Sequence, residues 1–157
     1  MPKNSAGIIL YRLLNGFPEV LLVHPGGPFW FKKDTGAWSI PKGEIDDGEE
    51  RLDTAKREFE EETGNKISGK FFEMKPVKLK SGKIVFSFAV EGDMDISSFR
   101  SNTFMLEWPP KSGKMIEIPE VDSAAWFNIP TAREKINTAQ IGILDELINV
   151  VNNTTDD

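Results

Sequence analysis

Glu58, Glu61 and Glu62 stand together in the segment Arg57-Glu58-Phe59-Glu60-Glu61-Glu62. On a helix, at about 100° per residue, Glu58 and Glu62 project from neighbouring points one turn apart, and Glu61 falls close on the other side of Glu58. Unpaired like charges at such spacing repel. A hard divalent cation reverses that penalty, because Mg2+ favours oxygen ligands and takes a few protein carboxylates beside water and phosphate oxygens. Mn2+ is the alternative ion. The ridge therefore suits metal-assisted work on a phosphate-bearing ligand. Arg57, one turn before Glu61, is placed to orient it. The bland alternative is a solvated helix face, stabilised by pairs such as Lys56–Glu60.

The elements around the ridge follow from the same stretch. Trp38-Ser39-Ile40 suits a short strand, and Pro41-Lys42-Gly43 a turn. Asp47-Gly48 fits a helix start with acids in the first turn. Leu52, Ala55 and Phe59 form one apolar stripe, and Gly64 follows the last helical residue as a left-handed cap. Lys42 can meet a phosphate as a compact point charge; otherwise it is a solvated turn lysine.

Gly43, then five residues, Glu49, then seven residues, then Arg57-Glu58-Phe59-Glu60-Glu61-Glu62-Thr63-Gly64 resembles the signature of the Nudix hydrolases. One position departs: the residue after Gly64 is usually aliphatic in that family, and here it is Asn65, with Ile67 near enough to supply the apolar contact. The resemblance implies that Gly43 offers its carbonyl oxygen to a metal. It also implies a Mg2+-dependent pyrophosphohydrolase, which cleaves a nucleoside diphosphate linked to another group by attack of water on phosphorus. Trp-Ser-Ile-Pro-Lys-Gly before the box and Ala-Trp-Phe-Asn-Ile-Pro near the end look most like the asymmetric diadenosine tetraphosphate hydrolases. The tyrosine that marks some subtypes after the box is absent, since Tyr11 is the only tyrosine, and Pro76 is too close to Gly64 for the ADP-ribose marker. A housecleaning nucleoside triphosphate pyrophosphatase is the alternative substrate reading. A non-catalytic nucleotide-binding module is the alternative from another class, but it would be expected to lose box carboxylates.

Composition narrows the field. The 157 residues fit a single domain over 1–151 with a frayed polar tail over 152–157. A net charge of −6 argues against a nucleic-acid polymer as partner. The absence of cysteine excludes disulfides, zinc–thiolate sites and cysteine nucleophiles, and one histidine rules out a histidine-rich metal site. No long apolar segment or signal-like start is evident, so a cytoplasmic protein away from membranes is expected, as monomer or homodimer.

In chain order, Ser5–Leu14 reads as a strand, Asn15-Gly16 as a turn, and Val20–Val23 as a strand buried on both faces. His24–Pro28 leaves it as a loop, with His24 a structural hydrogen-bonding residue rather than a phosphate contact. Phe29, Trp30 and Phe31 form either a loop pinned to the core or, with Lys32, a base-stacking and phosphate-steering wall. Phe29, Trp30, Lys32 and Lys42 make the expected substrate-binding set. Ser68–Met74 and Ile84–Glu91 read as strands, Thr103–Trp108 as a strand or ordered loop, and Lys111–Lys114 as a basic solvated loop rather than a holder of a distal phosphate. Ala125-Trp126-Phe127 is a compact strand, Pro130–Ile136 a short helix, and Ala139–Val151 a helix with Ile141, Leu144, Ile148 and Val151 on one face. This order gives an α/β (α+β) fold with a mixed sheet packed between helices, which is also the order of the Nudix fold.

A helix ridge supplies ligands from one side only, so a group across the cleft is expected. Among Glu117, Glu120 and Asp122, Glu120 is best placed: it follows Pro119 and precedes the apolar strand that anchors its loop. In the diadenosine tetraphosphate hydrolases a functional glutamate stands at a similar distance before the tryptophan comparable to Trp126. The expected catalytic residues are therefore Arg57, Glu58, Glu61 and Glu120, and the metal set is Gly43, Glu58, Glu61, Glu62 and Glu120.

Overall fold

The computed structural model describes residues 3–155. Strand β1 (Ser5–Leu14) turns at Asn15-Gly16 and returns as β2 (Phe17–Pro25), with Leu14 opposite Phe17. A short β3 (Lys42–Glu44) leads to helix α1 (Arg51–Thr63). Then come β4 (Phe72–Glu73), β5 (Val77–Lys78), β6 (Ile84–Glu91), β7 (Thr103–Glu107), β8 (Met115–Pro119) and β9 (Val121–Asn128), followed by α2 (Ile129–Lys135) and α3 (Ile141–Thr155). The main sheet runs β4-β6-β1-β2-β9, with β3 added to β1 and β5 to β6; β1 and β6 are parallel and the other pairs antiparallel. β7 and β8 form a separate ribbon.

Strand periodicity divides the core into two layers. Ile9, Tyr11, Val20 and Leu22 pack under α2 and α3, while Ile8, Leu10, Leu21 and Val23 pack under α1. This is the mixed sheet between helices that the chain order implies, and Val20–Val23 is buried on both faces as expected. Ala55 and Phe59 of α1 are fully buried, with Leu52 packed beside them. Burying Phe59 contributes about 1.5–3 kcal/mol and locks the rotation of the helix, which settles where its acids point.

Several boundaries differ from expectation. The helix begins at Arg51, not at Asp47-Gly48: Gly48 turns the chain at φ 80°, and Glu49 folds back to accept from the Asp46 N–H at 3.3 Å. β2 continues through His24 and Pro25, because β9 pairs with it to that point. Of Ser68–Met74 only Phe72 and Glu73 join the sheet. The acidic stretch 116–125 is two strands broken at Glu120. In α3 the buried face is Ile143, Leu144, Leu147 and Val151; Ile141 and Ile148 are only partly buried. The residues from Asn152 onward, expected to fray, remain helical to Thr155, and 156–157 lie outside the described residues.

Gly64 caps α1 in the left-handed conformation, its N–H donating to the Glu60 carbonyl. Asn65, where the Nudix pattern is aliphatic, instead donates from Nδ2 to the Thr63 carbonyl and accepts from Ser98 through Oδ1. Ile67 packs against the α1 layer, as the sequence suggested.

Candidate active site

Gly43 sits in β3 opposite Ala6 of β1, directly against α1. A Cβ on it would meet the Glu58 carboxyl carbon at 2.0 Å and both carboxylate oxygens at 2.2 and 2.3 Å. Only glycine lets the backbone and this carboxylate approach so closely.

Arg57 organises the ridge. Its Nε and Nη2 donate to the two Glu49 oxygens at 2.9 and 3.0 Å, the two-pronged geometry that a guanidinium matches. Its Nη1 donates to Glu58 at 2.9 Å and to both Glu61 oxygens at 3.2 Å. Arg57 thus orients Glu61, and Glu58 as well. Hydrogen bonds from Arg57 and Thr54 hold the Glu49 carboxyl down at about 2. The anchoring role of Glu49 was visible in the sequence only as a signature position.

Glu120 arrives from the far side. It lies at the junction of β8 and β9, where its N–H donates to the Asn102 carbonyl and its carbonyl accepts from the Gly26 N–H. Asn102 in turn donates to the Glu61 carbonyl, tying the junction to the end of α1. Carboxylate oxygens of Glu58, Glu61 and Glu120 all lie within 4.8 Å of one another. Burial and the charge of Glu61 push the Glu58 carboxyl up to about 7, and the same two causes raise Glu120. These groups resist ionising together, the penalty a divalent cation removes. The donor set is all oxygen, with the Gly43 backbone against it, and so fits Mg2+ or Mn2+.

Glu62 stands apart from this trio. Its carboxylate accepts from the Lys42 N–H at 3.2 Å, and burial pushes it up to about 8. Glu62, Glu120 and Lys42 line a cavity of about 190 Å3 together with Ser39 and Ile40. Burial, with Lys83 nearby, lowers the Lys42 ammonium below its ordinary range. Lys42 is therefore not a solvated turn lysine. On the other side of Glu61, Arg57 and Asn102 line a second cavity of about 460 Å3.

The three aromatics of the expected wall differ in exposure, with Trp30 half-buried. Phe29 and Phe31 are 58% and 73% exposed, so the loop is not pinned to the core by them. Phe29 stacks edge-on against Trp30, and the Lys33 ammonium lies 3.7 Å over the Phe29 ring. Lys32 lines a different cavity from Lys42, beside Phe31, Trp38 and His24. His24 is a structural residue: it is buried, with Nδ1 at 2.9 Å from Asp122 and Nε2 donating to the Lys33 carbonyl at 2.5 Å.

A family model described as the NUDIX domain matches residues 1–147. The chain belongs to the NUDIX family. Its enzyme class is accordingly that of a hydrolase acting on phosphorus-containing anhydrides. Solved structures share the fold at low identity. An Ap4A hydrolase from C. elegans in a binary complex is 20% identical, with a TM-score of 0.63, over 94% of this chain and 96% of that one. The NUDIX domain of Shewanella oneidensis NrtR, complexed with ADP ribose, is 15% identical, with a TM-score of 0.64, over 96% and 90%. A mutT/nudix family protein from Listeria innocua is 15% identical, with a TM-score of 0.65, over 98% and 96%.

Two supports of the NUDIX site escaped sequence reasoning. Gln140 is buried, accepts from the Ile40 N–H at 3.1 Å and donates to the Ser39 hydroxyl at 3.0 Å, fixing the segment before the box. Its one sequence signal is a polar residue on the otherwise apolar side of the last helix. Asp122 is the extra residue where the β2–β9 register shifts between His24 and Pro25, and this bulge turns it towards His24.

Proposed function

We propose that this chain is a divalent-metal-dependent pyrophosphohydrolase whose substrate is a dinucleoside polyphosphate such as diadenosine tetraphosphate. The observation that carries the reading is the convergence of Glu58, Glu61 and Glu120 beside the cavity of Lys42 and Glu62. A bound Mg2+ or Mn2+ would supply charge neutralisation of the polyphosphate and acidification of the attacking water. Glu58, Glu61 and Glu120 would hold it, with the Gly43 carbonyl and Glu62 as further proposed ligands.

The chain's own groups do the rest. Lys42 offers its ammonium to a phosphate of the substrate. Arg57 holds Glu58 and Glu61 in the orientation in which they would receive the ion. The oxygen of water bonds to one phosphorus, the bridging P–O bond breaks, and the leaving phosphate departs as its anion. The water proton passes to a carboxylate that the ion leaves free. Phe29 and Trp30 are the proposed contacts for a base of the substrate, and Lys32 for a phosphate. The lack of cysteine suits work in the cytoplasm. Among the described residues no helix is long and apolar enough to cross a membrane.

A nucleotide panel with Mg2+, its products identified by mass, tests the reading. Cleavage of diadenosine tetraphosphate to two unequal nucleotides is expected. Turnover of nucleoside triphosphates alone would move the substrate to the housecleaning class, and no turnover of any member would leave a binding module.

A further inference from the structure

A cavity of about 320 Å3 lies away from the acids, lined by His24, Phe31, Lys32, Trp38 and Asp122. It opens on the side of the sheet that carries α2 and α3: His24 stacks edge-on against Trp38, and Trp38 against Phe127 of that layer. Its volume falls within the range of small-ligand sites, roughly 300–1,000 Å3.

The lining charges are mostly spent on one another. Asp34 takes Lys135 and the Trp38 indole N–H. Asp122 takes His24 and the Ser123 hydroxyl. Lys33 sits over the rings of Phe29 and Trp30. Lys32 is left as an exposed cation with no ion pair or hydrogen bond among the described residues. Phe31 offers a bare ring at the same rim. A free cation beside an unstacked aromatic face, over a floor fixed by buried hydrogen bonds, matches a flat anionic ligand better than an apolar or cationic one.

We propose that this cavity binds the base and 5′-phosphate of a nucleotide, the base on Phe31 and the phosphate at Lys32. The ligand has two sources with one chemistry: the far half of a substrate whose phosphates occupy the metal site, or a separate nucleotide. Along β2, His24 lines this cavity while its neighbours Val23 and Pro25 line that of Lys42, so the two open on opposite faces of the same strand. The substrate source rests on the hydrolytic reading; the binding itself does not.

AMP titrated into the full chain in EDTA, followed by calorimetry, tests the site without catalysis. Phe31→Ala should weaken AMP about tenfold or more, the scale of one stacked base, and Phe31→Trp should restore it. Phe17→Ala, which removes another exposed ring, at the start of β2, is the control and should bind like the wild type. Equal affinities in wild type and Phe31→Ala would overturn the proposal. With Mg2+ present, a similar rise in KM for diadenosine tetraphosphate in Phe31→Ala assigns the cavity to substrate, whereas an unchanged KM with weakened AMP binding assigns it to a separate nucleotide. If no nucleotide is hydrolysed yet Phe31→Ala still loses AMP, the site stands and the hydrolytic reading falls.

Discussion

Glu58 is the residue on which activity and stability pull in opposite directions. It is held beside Glu61 and partly out of water, which is costly without a counter-charge. Glu58→Gln removes the charge and keeps the shape. It should lose at least ~100-fold in kcat, the lower range for acid–base or charge-stabilising groups. The same variant should melt higher than the wild type in EDTA at pH 8. Thermal melts and single-turnover rates on one preparation check both, and wild-type turnover would remove Glu58 from the mechanism. Gly43→Ala makes the complementary case. Its new Cβ overlaps the Glu58 carboxylate, so that side chain must swing away from Glu61 and Glu120. We expect a folded protein with weakened Mg2+ affinity, measurable by calorimetry.

The β8–β9 junction shows how an element brings a distant carboxylate to the α1 acids. Glu120 is held by backbone bonds to Asn102 and Gly26, while Glu117 lies exposed on the separate ribbon opposite Met105. Glu120→Gln should therefore lower kcat or Mg2+ affinity well beyond Glu117→Gln, with little change in Tm. Equal, mild effects at both positions would leave the box acids to act without it. Asp122 is no neutral comparison, since its carboxylate holds His24. The segment before the box depends in the same way on the 3-10 turn Thr138–Gln140 that precedes α3. Gln140→Ala strands the buried Ile40 N–H, a loss of about 1–3 kcal/mol. A lower denaturation midpoint with an unchanged m-value is the expected readout.

For the whole molecule, proton and metal binding are linked to folding. Glu58 and Glu62 hold their protons more tightly folded than unfolded. Their contribution is present in full below the ordinary carboxyl value of 4.5 and is lost as pH rises through about 7 and about 8. Glu49 runs the other way: its contribution is present above 4.5 and lost as pH falls through about 2. The metal-free protein should therefore lose several degrees in Tm between pH 5 and 8.5, and millimolar Mg2+ should recover them at the upper end. A flat metal-free Tm across that window would argue that the acids are not strained.

What the sequence settled by itself was local and periodic. The alternation in β1, the double burial of Val20–Val23, the Phe59 stripe and the Gly64 cap all follow from neighbours along the chain. The convergence of Glu58 with Glu61 was legible in the same way, because helical phase is set by spacing alone. The tertiary structure decided which carboxylates meet. Glu62 shares the ridge, yet it turns to the Lys42 N–H, because β3 lies along that side of α1 and offers a donor. The start of α1 moved to Arg51 because Glu49 is engaged by Arg57 and Thr54, partners beyond the reach of a capping pattern. Lys32 and Lys42 are ten positions apart yet line separate cavities, since the chain between them passes through a bridge to β2 and an indole packed on the other core layer. Period and capping fix the orientation of a side chain on its own element; which groups face it depends on elements distant in sequence, and only their packing supplies that.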